Sequence, residues 1–92
     1  MDFYLISYDV PAHGRRTKIA SLLEDYGQRV QLSVFEVWLD KRALAELLGR
    51  LDALLQPEED SVRVYRLCSA CQAAVIVRGL GSAPRPPGAL IV

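Results

Sequence analysis

Nitrogen and sulfur ligands are scarce in this chain. One histidine (His13) and two cysteines (Cys68, Cys71) stand among 92 residues. A structural zinc site needs four such ligands, so one copy cannot build one from cysteine and histidine. No stretch reaches the roughly 18–20 consecutive apolar residues of a membrane-spanning helix. The start shows no basic segment followed by an apolar run and a small-residue cleavage site, so no secretory signal is read. Both absences predict a cytoplasmic protein with no membrane association and with its cysteines reduced. Net charge is absent as well, with eleven cations against eleven anions. That balance excludes indiscriminate coating of nucleic acid but leaves room for a local basic patch. Lysine is the rarer cation: nine of the eleven are arginine, the side chain whose planar fork fits phosphate.

What the chain does have is apolar residues, 51% of the total. That exceeds the needs of one small domain and favours a homodimer or larger assembly. Asp2–Asp9 is rich in strand formers. Pro11 and Gly14 punctuate the following turn. From Arg15 to Tyr26, Ile19, Leu22, Leu23 and Tyr26 form one helical face, with Gly27 placed as a C-terminal cap. Residues 29–39 alternate, which predicts one long strand bent near Ser33, with Arg29, Gln31, Ser33 and Phe35 on one side. Asp40 is placed as the N-cap of a second helix. Its stripe of Leu44, Leu47, Leu48, Leu51, Leu54 and Leu55 runs up to Pro57. Ser61–Leu67 reads as a strand and Ala73–Val77 as another. A linker-like tail over 81–92, set apart from a domain over 1–80, ends on the apolar run Ala89–Val92, read as an edge strand used in assembly. Strands alternating with two helices predict a sandwich with both helices on one sheet face. The opposite face is left for a second copy.

Asp9 closes the apolar run of the first strand, and Arg15, Arg16 and Lys18 follow closely. A carboxylate at a rigid strand end can hold a divalent metal, and arginines beside it can hold phosphate. An Asp in this position also serves as an ordinary turn residue. Cations in the first turn of a helix oppose its macrodipole, a small cost that phosphate binding would explain. Phe35, beside Arg29 and Ser33, either stacks a base or is buried in a dimer interface.

Several segments carry a resemblance: Tyr8-Asp9 at the end of strand one, Arg15-Arg16-x-Lys18 opening the first helix, residues 26–36 from Tyr26 to Glu36, and residues 59–65 from Glu59 to Tyr65. In order and spacing they resemble the small CRISPR-associated endoribonuclease family, the partner of the CRISPR spacer integrase, over residues 1 to about 67. The resemblance implies an α+β, ferredoxin-like βαββαβ sandwich with an antiparallel sheet, in which 29–39 is two short strands or one bent strand. It also implies a homodimer whose two facing Asp9 side chains share one Mg2+. Asp9 and Tyr8 would be catalytic residues, and Arg15, Arg16, Lys18, Arg29, Ser33 and Phe35 would contact nucleic acid (RNA or DNA). The activity implied is magnesium-dependent endonuclease cleavage in spacer acquisition for antiviral defence. A non-catalytic dimeric scaffold that binds duplex DNA and bridges integrase units is the alternative, and a toxin-like mRNA interferase is a third.

Two features stand outside that pattern. His13 has a pKa suited to proton transfer, but as a lone turn residue it is read as solvent-exposed. The Cys68-x-x-Cys71 pair follows a strand instead of preceding a helix, which weakens a thioredoxin-like reading and leaves ordinary thiols.

Overall fold

The computed structural model describes residues 1–88. Its elements run β1 (Asp2–Asp9), α1 (His13–Glu24), β2 (Gly27–Gln31), β3 (Val34–Leu39), α2 (Lys41–Leu54), β4 (Ser61–Leu67) and α3 (Ser69–Ala73). The four strands form one antiparallel sheet in the order β2-β3-β1-β4. This is the ferredoxin-like βαββαβ arrangement, with α1 and α2 packed together on one face. Tyr4, Ile6, Tyr8, Phe35, Val37 and Leu39 meet Ile19, Leu22, Leu23, Leu47 and Leu51 in a continuous core. Strand alternation puts Phe3, Leu5, Ser7 and Asp9 on the other face. There Phe3 packs on Trp38 with ring centroids 4.8 Å apart.

Asp40 caps α2 as the sequence predicts, accepting the Ala43 amide through Oδ1 at 2.7 Å. β4 also has the predicted bounds. Three expectations need correction. Residues 29–39 are not one long strand but part of a hairpin, β2–β3, turning at Leu32-Ser33. The pairing shifts register between Arg29 and Gln31, so Val30 is an extra residue that breaks the alternation. Val30 and Leu32 accordingly face solvent.

Gly27 is the first residue of β2, not a helix cap; α1 ends at Glu24 and Asp25 is its C-cap. The glycine is needed for close approach, because a Cβ there would run into the Val37 side chain and the Glu36 carbonyl. Finally, Ala73–Val77 forms no strand. Its first residue ends α3, and the rest has no regular structure apart from a turn at Ala74. With β2 and β4 at the sheet edges, the segment's apolar run meets no ladder, and Ile76 stays largely exposed. The edge strand expected at Ala89–Val92 lies outside the described residues. Among the described residues no helix is long and apolar enough to cross a membrane.

The contact at Gly27 is testable. Gly27→Ala should lower unfolding free energy by about 1–3 kcal/mol, the usual cost of overpacking, seen as a shifted urea midpoint. Gly14→Ala, with nothing within 4 Å of the added carbon, is the matched control and should not destabilise. Equal midpoints for the two variants would remove the close approach as the reason for glycine at 27.

Candidate functional site

A cleft of about 650 Å³ opens between the C-terminal end of β1, the first three turns of α1 and the β2–β3 turn. Its walls bring together Tyr8, Asp9, His13, Arg16, Arg29 and Ser33. Asp9 is exposed at its rim. Tyr8 is buried, yet both its amide and its hydroxyl are engaged. Its amide donates to the Ser33 carbonyl at 3.1 Å and its hydroxyl to the Leu32 carbonyl at 3.3 Å. The same hydroxyl accepts from Arg29 Nη2 at 3.4 Å. Arg29 lies over the Phe35 ring, 5.4 Å from its centroid, a cation–π placement that fixes the guanidinium above the core.

Arg16 is aimed by the chain that precedes its own helix. Nη1 donates to the Val10 carbonyl at 3.0 Å and to the Pro11 carbonyl at 3.4 Å. Nη2 meets His13 Nδ1 at 3.2 Å. Arginine can only donate, so in this contact Nδ1 is the acceptor. The cleft thus holds two fixed guanidiniums and an imidazole with two exposed carboxylates, Asp9 at its rim and Glu24 at the end of α1. Such a set can grip a phosphate backbone next to a carboxylate able to take a metal.

Three expected site residues lie elsewhere. Phe35 is fully enclosed at 0% exposure within the core of its own protomer, so its ring offers no face to a base and none to a second copy. Both readings of Phe35 fail for the same reason: its strand neighbour positions place it under the helices, beside Tyr8. Arg15 is already taken. Its Nε donates to Asp60 Oδ2 at 2.8 Å, and its Nη2 to Asp60 Oδ1 at 2.9 Å and Glu59 Oε2 at 2.7 Å. The Asp60 carboxylate has no exposed surface, and it also accepts the Gln56 amide. Arg15 therefore clamps α1 to the turn before β4. Lys18 borders a second groove between α1 and α2, with Asp25 and Arg50.

The sequence reading missed Thr17, Ser21 and Glu24 as cleft residues. With His13 they recur at helical spacing, opposite the apolar stripe of Ile19, Leu22 and Leu23. That polar stripe was available as a signal.

The comparisons with known proteins agree with this fold. The model of the family described as CRISPR associated protein Cas2 matches residues 1–75. The chain belongs to the Cas2 family. It is 48% identical over 92 residues to a CRISPR-associated endoribonuclease Cas2 of Synechocystis sp., covering 100% of both chains. Among solved structures, Streptococcus pyogenes Cas2 superposes with a TM-score of 0.75 at 34% identity, covering 84% of this chain and 99% of that one. A chain of a partial Cas6-RT-Cas1–Cas2 complex gives a TM-score of 0.82 at 29% identity, covering 100% of both. The Cas2 fold is therefore the fold of this chain, and the cleft is a feature of this Cas2 family member's β1 terminus.

The Arg15 clamp predicts a pH dependence. Arg15's hydrogen bonds hold the Asp60 carboxyl below its usual pKa. A depressed folded-state pKa stabilises the fold above the unfolded value of about 3.9 and loses that contribution as pH falls through the lower folded value. Asp60→Asn should therefore be less stable than wild type at pH 7, with the gap in Tm closing below about pH 4. A constant gap across that range would show that the carboxylate's charge is not what Arg15 holds.

Proposed function

We propose that this chain cuts phosphodiester bonds of RNA or DNA with Mg2+, as a pair of identical copies, and works beside the CRISPR integrase in spacer acquisition. The position of Asp9 carries the reading. It is exposed at the end of β1, on the sheet face that α1 and α2 leave open, and it borders the cleft lined by Arg16 and Arg29. One copy alone does not fit a metal, since among the described residues no three Asp, Glu, His or Cys side chains gather as a site. Two copies apposed through their open faces supply two Asp9 carboxylates. With waters completing the shell, that set suits the all-oxygen octahedron of Mg2+.

A metal held there supplies charge stabilisation at a phosphoryl oxygen and a lower pKa for a bound water. The chain's own residues do the rest. Arg29 and Arg16 grip the backbone phosphates flanking the cut, each fixed in advance by its hydrogen bonds. Tyr8 acts by positioning: its hydroxyl holds Arg29 and the hairpin turn. Ser33 adds a hydroxyl at the cleft wall, and Lys18 extends phosphate contact toward the groove between α1 and α2. The endoribonuclease name of the Synechocystis relative supports the reaction class.

The scaffold reading has its own support in the full-length match to a chain of a Cas1–Cas2 complex. In that reading the same cleft binds duplex DNA without cutting it. Asp9→Asn distinguishes the two. Cleavage should fall by more than about 100-fold, beyond the loss typical when a mere supporter of a metal ligand is removed, with the oligomeric state unchanged by light scattering. Undiminished cleavage would remove Asp9 from the chemistry. Wild-type protein that cuts neither single-stranded RNA nor duplex DNA at any Mg2+ concentration, while spacer acquisition in cells survives Asp9→Asn, would establish the scaffold.

A further inference from the structure

At the far end of the sheet from Asp9, the two cysteines flank the first turn of a helix. β4 pairs Ser61 with Asp9 and Leu67 with Phe3. At about 3.3 Å per strand residue, Cys68 therefore emerges roughly 20 Å from the Asp9 end. The sequence places the pair after a strand, which is correct, but a helix begins at Ser69 and Cys68 is its N-cap. Cys68 Sγ accepts the Cys71 amide at 3.4 Å. The Cys71 sulfur is three bonds from that same nitrogen, so rotation about one side-chain bond brings the two sulfurs into reach. Both thiols are free and exposed.

We propose that Cys68 and Cys71 are a reversible dithiol–disulfide site that exchanges with low-molecular-weight disulfides, with Cys68 attacking and Cys71 resolving. The Cys68 thiolate attacks one sulfur of a small disulfide, RS–SR. A mixed disulfide forms and RS⁻ leaves, taking a proton from solvent. Cys71 gives its proton to solvent and attacks Cys68 Sγ, which closes the Cys68–Cys71 bond and releases the second RS⁻. Two protein thiols have lost two electrons, and one small disulfide has become two thiols.

The division of labour follows from the surroundings. The Cys71 amide, then the facing Cys71 thiol, lower the Cys68 pKa. Hydrogen bonding to Cys68, with its charge, raises that of Cys71. The thiolate is the nucleophile, so the group held lower attacks first. The site also has a structural consequence. Gln72, buried in the same short helix, donates through Nε2 to the Pro84 carbonyl at 2.6 Å. Disulfide closure staples the turn that anchors this part of the tail.

The probe is oxidised glutathione, applied to the full chain at pH 7 and read by intact mass and thiol alkylation. Wild type should lose two hydrogens and both alkylation sites, with no glutathione retained. Cys71→Ser keeps the amide that bonds Cys68, and should accumulate one glutathione on Cys68. Cys68→Ser should react at Cys71 more slowly, by at least about threefold, because the Cys71 amide favours a thiolate at position 68 and not at 71. Wild type that retains two glutathiones, that links to another chain through sulfur, or whose two single variants react at equal rates would overturn the proposal.

Discussion

The amide and hydroxyl of Tyr8 hold the two carbonyls of the Leu32-Ser33 turn at 3.1 and 3.3 Å, and the cleft depends on these bonds. A two-residue hairpin turn normally needs a backbone of positive φ, supplied by glycine or asparagine. Among the described residues none other than glycine has positive φ, and the turn contains neither glycine nor asparagine. The neighbouring strand takes over what turn chemistry would otherwise do. Because the same hydroxyl also receives Arg29, one side chain fixes the turn, the cation above it and the distance of both from Asp9, the next residue along β1. The carboxylate reaches the open face only because Tyr8 points the other way, into the core.

Helical geometry then sorts three cations that look interchangeable in sequence. Successive residues of a helix are turned by about 100°. Arg15 is carried toward the turn before β4, Arg16 over the cleft and Lys18 toward the groove with α2. Each meets different partners. Arg15 finds two carboxylates and becomes a clamp; Arg16 finds, among the described residues, carbonyls and an imidazole, which orient its charge without neutralising it. A basic cluster is therefore not one site here, and the cationic charge lining the cleft comes from Arg16 and Arg29.

The parts legible from the chain were those set by local rules. Asp40 could be read as a cap because capping spans only four residues, and the leucine stripe of α2 because burial of one face repeats every turn. Asp9 at the end of β1 followed from the same kind of pattern. The hairpin was not legible from alternation, because its turn is held by Tyr8, some two dozen residues away, and its bulge hides the period. The resemblance did allow two strands there. Gly27 looked like a cap until the approach of Val37 gave a tertiary reason for it. Phe35 looked available for stacking because alternation assigns sides of a strand without saying which side the helices cover. Arg15 looked free because its partners, Glu59 and Asp60, lie more than forty residues away.

The open face also bears on the proposed pairing of two copies. It is not an apolar plate. Leu5 and the Phe3–Trp38 stack share it with Glu36, Ser7, Arg63 and Tyr65. Burial already raises the Glu36 pKa, so covering this face further would disfavour its charge unless an opposite charge arrives. In an isologous interface the same patch meets itself, so a surface succeeds only if it is its own complement. Glu36 and Arg63 give this face one charge of each sign on strands either side of β1. A two-fold pairing can therefore answer each anion with a cation, at the same time as it brings together the two Asp9 carboxylates that neither copy can neutralise alone.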